Sequence, residues 1–202
     1  MNILFVCTGN TCRSPMAEAI LKSKFQDGEV KSAGIFAGKG DSIAKNSEEV
    51  LQEINLKIDH QTRPVDNELL EWADLILTMT DRHKQTLALQ YPDFHDKYYT
   101  LKEYVLINEE EWKELKRLYT EFEEKRSRIL NESMDSLSEE ELDRKLRKEL
   151  KDDITKIEEK ENSLPNINIT DPFGGDLHMY RETRDELDRH INLLIKKMNE
   201  KD

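Results

Sequence analysis

Four apolar residues, Ile3-Leu4-Phe5-Val6, run directly into Cys7-Thr8-Gly9-Asn10-Thr11-Cys12-Arg13-Ser14, and Pro15 follows at once. A short apolar run before turn-forming residues reads as a buried strand. Gly9 suits a tight turn, Ser14 suits a helix cap, and Pro15 suits the first helical position. The segment therefore predicts a strand over 3–6, a loop pinned at both ends and a helix over 15–25. This is the opening unit of a parallel α/β sheet.

The same rhythm continues along the chain. Apolar runs predict strands over 30–33, 74–79 and 97–101, and helical patterns fall over 43–54, 66–72 and 81–90. A last helix over 177–199 carries Tyr180, Leu187, Ile191, Leu194 and Met198 at helical intervals, which suits packing on a sheet. Alternating strands and helices predict a three-layer α/β/α fold around a central four-stranded parallel sheet. In open sheets of this class the ligand sits beyond the C-terminal ends of the strands, where Cys7 falls.

Residues 105–165 break the rhythm, with 13 basic and 19 acidic side chains. Trp112, Leu115, Tyr119 and Phe122 form one helical stripe, and Leu142, Leu146, Leu150 and Ile154 form another. Asn108 with Glu111, and Ser138 with Glu141, make capped starts, and 131–138 reads as a turn. The expectation is an inserted charged hairpin of two antiparallel helices, dividing a domain made of 1–104 and 166–202. The insert leaves after the last strand and returns shortly before Asp171, so its ends are expected near the rim of any site there. It is either a surface that guides a protein partner or a solvated extension.

A loop between a strand and a helix N-terminus aims successive backbone N–H groups at one small volume and favours an anion there. Thr8, Gly9, Asn10, Thr11, Cys12 and Arg13 would form that cradle. A helix N-terminus and a guanidinium both stabilise a thiolate, so Cys7 is expected to ionise near neutral pH. Arg13 brings a planar fork of donors matched to phosphoryl oxygens. Asn10 and Ser14 are suited to bonding the loop backbone or the Cys7 sulfur. The bland reading, a small buried Cys7 and a solvated Arg13, leaves the order of the other residues unexplained. The chemistry implied is thiolate attack on phosphorus.

Such a reaction proceeds more easily when a positioned acid protonates the leaving group. Asp171, in Asp171-Pro172-Phe173-Gly174-Gly175, is the candidate: Pro172 restrains the backbone and the glycines permit unusual dihedrals. An equally available role is a turn, or a cap for the helix starting near Asp176.

Composition excludes several partners. The formal net charge is -12, from 31 Lys+Arg against 43 Asp+Glu, which argues against nucleic acid or an anionic membrane. No run reaches the roughly 18 apolar residues of a membrane span, and the first residues lack signal-peptide features. His60, His83, His95, His178 and His190 show no ligand spacing, so neither a metal nor another cofactor is expected. Cys7 and Cys12 are the two cysteines, and a required free thiol fits a reducing cytoplasm. They also form a candidate reversible disulfide within one loop, although Cys12 is equally suited to packing.

Cys7 to Ser14 followed by Pro15-Met16-Ala17-Glu18 resembles the signature of the low-molecular-weight protein phosphatases, and Asp171 to Gly175 resembles that family's acid-bearing loop. The resemblance covers about 1–104 and 166–202; the insert has no counterpart in it. It implies a metal-independent phosphatase acting on phosphorylated proteins in two steps. Cys7 would take the phosphoryl group while Asp171 protonates the departing group, and water would then hydrolyse the phosphocysteine. Asn10 and Ser14 would support the loop, and Phe173 would pack along the substrate side chain. Threonine at the position of Thr11 is typical of the bacterial protein-arginine-phosphatases in the family, whereas tyrosine-directed members carry a bulkier aliphatic residue. Phosphoarginine is thus the expected substrate and phosphotyrosine the alternative. Arsenate reduction would need relay cysteines outside the loop, which the chain lacks. A non-catalytic phosphoprotein-binding module is a further alternative, opposed by the joint presence of Cys7, Arg13 and Asp171.

Overall fold

The computed structural model describes residues 1–133 and 137–200. Those of 1–106 and 166–200 form one compact unit and those of 107–165 another. In the first unit β1 (Asn2–Cys7), β2 (Glu29–Gly34), β3 (Leu75–Thr78) and β4 (Tyr98–Thr100) form a parallel sheet in the order β2-β1-β3-β4. Helices α1 (Arg13–Lys24), α2 (Lys45–Gln52), α3 (Asn67–Trp72), α4 (Asp81–Gln90) and α5 (Leu101–Leu106) connect the strands or follow them.

Side chains alternate between the two faces of the sheet, as the strand period requires. Ile3, Phe5, Leu75 and Leu77 pack with Met16 and Ile20 of α1 and with Leu187, Ile191 and Leu194 of the last helix. Leu4, Val6 and Ile76 pack on the other face with Leu69 and Leu70 of α3 and Leu87 of α4. Both faces are covered, so the architecture is three-layer α/β/α. Because β1 is flanked by β2 and β3, its C-terminal end opens at the point where the strand order reverses, and Cys7 is the last residue of β1.

Two local expectations about the first loop need correction. Helix α1 begins at Arg13 with Cys12 as its cap residue, so Ser14 does not cap it and Pro15 is its third residue. Within the loop Asn10 takes the left-handed conformation, at φ 56°. Elsewhere, the strand expected to reach 101 ends at Thr100, because Thr100 Oγ1 accepts from Glu103 N at 3.0 Å and starts α5.

The second unit contains α6 (Glu109–Ser133), α7 (Glu139–Glu149) and α8 (Lys151–Ser163). Asn108 and Glu111 cap α6 reciprocally, with Asn108 Oδ1 accepting from Glu111 N at 2.9 Å, and Ser138 with Glu141 caps α7 in the same way. Contacts run antiparallel along α6: Glu114 to Lys160, Lys125 to Asp153, Ser133 to Lys145. The expected second arm is not one helix but two, divided at Leu150. A residue repeat of four drifts around a helix of 3.6 residues per turn, so one straight helix cannot keep that stripe on one face. The break resets it: Leu150 and Ile157 are buried while Ile154 is 40% exposed. Lys125 Nζ donates to Glu149 O at 2.7 Å, occupying a carbonyl at the end of α7. Helix α6 continues through Ser133, past the expected start of the turn, and the 134–136 part of that turn lies outside the described residues.

The chain returns to the first unit and ends in α9 (Leu177–Asn199), capped by Asp176, whose Oδ1 accepts from Met179 N at 3.0 Å. Among the described residues no helix is long and apolar enough to cross a membrane.

Candidate active site

The loop from Thr8 to Cys12 is held by buried polar bonds that converge on Asn10. Its Nδ2 donates to Ser14 Oγ and to Ser32 Oγ, both at 2.9 Å, and its Oδ1 accepts from Arg63 N at 3.1 Å. Its carbonyl accepts from His60 Nε2 at 2.9 Å. Asparagine tolerates a positive φ better than most residues. These four bonds fix it there.

Ser32 Oγ donates to Glu18 Oε2 at 2.6 Å, and Lys22 Nζ reaches the other oxygen of Glu18 at 2.5 Å. His60 Nδ1 lies 3.9 Å from Glu18 Oε2. The buried carboxylate of Glu18 thus accepts from Ser32 and Lys22, and it ties α1 to β2 behind the loop.

Cys7 and Ser14 face each other, with Sγ and Oγ 3.0 Å apart. Ser14 thus sits against the sulfur rather than at a helix cap. Gly34 lies beside Cys7 in the ladder, and a Cβ there would stand 2.7 Å from Thr8 O and 2.8 Å from Asn10 N. Only glycine lets β2 approach the loop this closely.

On the other side, Thr8 Oγ1 is 2.8 Å from His83 Nε2, and Thr80 Oγ1 is 2.9 Å from His83 Nδ1. Burial, followed by the nearby Arg13 charge, lowers the His83 pKa from 6.5 to about 4. His83 is therefore neutral at pH 7, with both ring nitrogens bonded.

Arg13 and Asp171 meet despite their distance in the chain: an Arg13 Nη donates to Asp171 Oδ2 at 2.7 Å. The Arg13 side chain is 6% exposed and that of Asp171 is 52% exposed. Asp171 Oδ1 also accepts from Phe173 N at 3.2 Å, so Asp171 starts a turn as well as reaching the arginine. Gly174 takes φ 79°, as the turn requires, and Phe173 is exposed. Cys12 and Cys7 are both buried free thiols, and Cys12 Sγ is 3.4 Å from Tyr180 Oη. Burial, and then the bond to Cys12, raises the Tyr180 pKa above its ordinary value. Thr11 is half-buried, and its carbonyl accepts from Ala44 N at 2.9 Å.

All the loop residues singled out from the sequence, together with Asp171, are thus brought together, with Phe173 on the same turn as Asp171. Ser32, Gly34, His60, Arg63 and His83 were missed. His83 had a signal, since it lies in the first turn of the helix after β3, near the C-terminal edge where ligands bind in such sheets. A thiol, a guanidinium and a partly exposed carboxylate around one βα loop suit capture of a tetrahedral oxyanion by sulfur.

A family model described as low molecular weight phosphotyrosine protein phosphatase matches residues 2–156. A protein-arginine-phosphatase of Bacillus subtilis (strain 168) is 32% identical over 202 residues, covering 98% of this chain and 97% of that protein. PtpB of Staphylococcus haemolyticus (strain JCSC1435), a low molecular weight protein-tyrosine-phosphatase, is 48% identical over 105 residues, 52% of this chain and 75% of that protein. Among solved structures, a cysteine-to-serine variant of the arginine phosphatase YwlE with a phosphorylated active-site serine superposes with a TM-score of 0.68. It is 32% identical, and the match covers 98% of this chain and 96% of that one. The chain belongs to the low molecular weight protein phosphatase family.

Proposed function

We propose that this chain hydrolyses phosphoarginine in proteins through a phosphocysteine intermediate, with Cys7 as nucleophile, Arg13 as phosphoryl clamp and Asp171 as acid and then base. The observation that carries this reading is the 2.7 Å contact between Arg13 and Asp171, which joins a distant carboxylate to the loop that holds the thiol.

Cys7 Sγ attacks phosphorus as the thiolate, the bond from phosphorus to the leaving atom breaks, and Asp171 delivers its proton to that atom. The loop amides from Thr8 to Arg13 and the N-terminus of α1 face the phosphoryl oxygens, and Arg13 grips two of them. Ser14 Oγ, 3.0 Å from the sulfur, stabilises it as a leaving group in the second step. There water attacks phosphorus, its proton passes to Asp171, and inorganic phosphate departs as the sulfur–phosphorus bond breaks. A reversible disulfide between Cys7 and Cys12, formed by peroxide, is proposed to switch the thiol off. The protein is assigned to the reducing cytoplasm, a placement its free thiols suit.

Arginine over tyrosine rests on Thr11 and on the full-length likeness to a protein-arginine-phosphatase. A hydroxyl residue in place of a bulkier aliphatic one gives up apolar contact with an aromatic ring and offers a polar contact to a guanidinium, with Phe173 along the substrate stem. The 48% identity to PtpB over half the chain favours phosphotyrosine as the second reading. Proteins carrying phosphoarginine or phosphotyrosine, offered in parallel to the parent and to Thr11→Ile, separate the two. The parent is expected to prefer phosphoarginine and the variant to shift toward phosphotyrosine; a parent preference for phosphotyrosine overturns the choice. The 107–165 unit, inserted in the chain ahead of Asp171, is proposed to recruit protein substrates. Replacing 108–163 by a short linker should then lower turnover of phosphoproteins more than that of 4-nitrophenyl phosphate.

A further inference from the structure

The segment just ahead of Asp171 has no regular secondary structure, yet its backbone is held throughout. Ile169 N donates to Met79 O at 2.8 Å, and the Ile169 side chain is buried. Asn168 Oδ1 accepts from Asp81 N at 2.8 Å. Asn168 N donates to Asn166 Oδ1 at 2.9 Å, and Thr170 O accepts from Thr183 Oγ1 at 3.5 Å. Two further bonds come from one ion pair. Lys102 Nζ of α5 donates to Asn168 O at 3.1 Å and to Glu186 Oε1 of α9 at 2.9 Å. The other oxygen of Glu186 accepts from Thr170 N at 3.1 Å.

We infer that the Lys102–Glu186 pair is a positioning device for Asp171, fixing the backbone from which that carboxyl reaches the phosphoryl leaving group. The inference rests on the reading of Asp171 as the acid.

Lys102 and Glu186 have side chains only 11% and 13% exposed. Desolvating two charges is costly, and a buried ion pair often stabilises no more than apolar residues of similar volume would. Its contribution is then geometric: each partner also bonds one peptide group, Lys102 that of Asn168 and Glu186 that of Thr170. Burial opposes ionisation of Glu186, but Lys102 and the Thr170 amide outweigh it, so its carboxyl titrates below its ordinary range. Acid catalysis depends on placing a proton within hydrogen-bond reach of the departing atom, so a small shift of this backbone lowers rate without touching the thiol or its loop.

Leaving groups provide the test. Phenolate needs protonation to depart, whereas 4-nitrophenolate leaves far more readily without it. The ratio of kcat/KM for phenyl phosphate to kcat/KM for 4-nitrophenyl phosphate, which leaves out the hydrolysis step the two substrates share, therefore reads the acid and is insensitive to general loss of active protein. The double variant Lys102→Met/Glu186→Met, which leaves no unpaired buried charge, is expected to lower this ratio about tenfold. Its inhibition constant for inorganic phosphate should change less than about twofold, since the cradle is intact. Lys102→Arg, which keeps a buried cation with donors for both Asn168 O and Glu186, should recover most of the ratio. Should the double variant not fold, Lys102→Gln carries the test with the same sign. An unaltered ratio in the double variant beside a lowered ratio in Asp171→Asn overturns the inference alone. An Asp171→Asn ratio equal to the parent's overturns the acid reading, and the inference with it.

Discussion

Arg13, almost wholly buried, donates to the half-exposed carboxylate of Asp171 at 2.7 Å. The group proposed to clamp the phosphoryl oxygens and the group proposed to protonate the leaving atom are therefore paired with each other. An entering dianion must draw the guanidinium toward itself, which frees Asp171 beside the leaving group.

Removing the carboxylate should thus separate binding from turnover. In Asp171→Asn, inorganic phosphate is expected to bind about tenfold tighter, roughly 1.4 kcal/mol, because Arg13 loses a competing anion. Turnover of phenyl phosphate should fall by about 10²–10⁴. Isothermal titration with phosphate and steady-state kinetics check the two halves; weaker phosphate binding would sink the competition argument.

Ser14→Ala deletes the hydroxyl 3.0 Å from the Cys7 sulfur and leaves Asn10 Nδ2 with one acceptor fewer. Hydrogen bonds to charged groups contribute about 1.5–3 kcal/mol, so kcat should fall roughly 10–100-fold. If the second step suffers most, rapid-quench measurements will find the phosphorylated enzyme accumulating during turnover. An unchanged kcat would remove Ser14 from the mechanism.

Gly34→Ala places a methyl group against Thr8 O and Asn10 N, backbone atoms of a loop that cannot yield freely. Overpacking of this kind costs about 1–3 kcal/mol. We expect a lower thermal midpoint together with weaker phosphate binding. A variant that loses neither would show that the loop gives way more easily than its bonding implies.

His83 supplies a pH signature. An unfolded chain takes up this proton at about 6.5, whereas the native state resists it down to about 4, since burial and then Arg13 oppose the charge. Native stability is consequently lost as pH falls from about 6.5 toward 4, by about 3 kcal/mol in all, and is unaffected above that window. In His83→Asn this contribution disappears, so urea unfolding at pH 5 and pH 7 should differ less than in the parent. Equal pH dependence in both proteins would mean that the ring is not held neutral.

What could be read from the sequence was local. The strand, the loop and helix α1 lie within the first 24 residues, and their order alone marks the loop as a candidate anion site. Asp171 was legible because Pro172 and two glycines mark its loop. Neither Ser32 nor His60 could be recognised, since each reaches Asn10 only through the crossover that brings β2 and the segment after α2 beside β1. Gly34 ends a strand as many glycines do; its purpose appears only when Thr8 and Asn10 are set against it. Of the two tasks the sequence offered Ser14, a helix cap and a bond to the Cys7 sulfur, the structure has the second, because tertiary contact overrides the preference of a serine before proline for a helix start. The division at Leu150 was hidden for a different reason, because a repeat of four residues resembles a continuous helix until its drift is followed.

The left-handed turn at Asn10 draws its support from α1, from β2 and from two residues of the segment after α2. No part of the chain can therefore shape the nucleophile's surroundings by itself. During denaturation, catalytic competence and the cooperative loss of the sheet should vanish in a single event, making activity a direct gauge of the folded fraction.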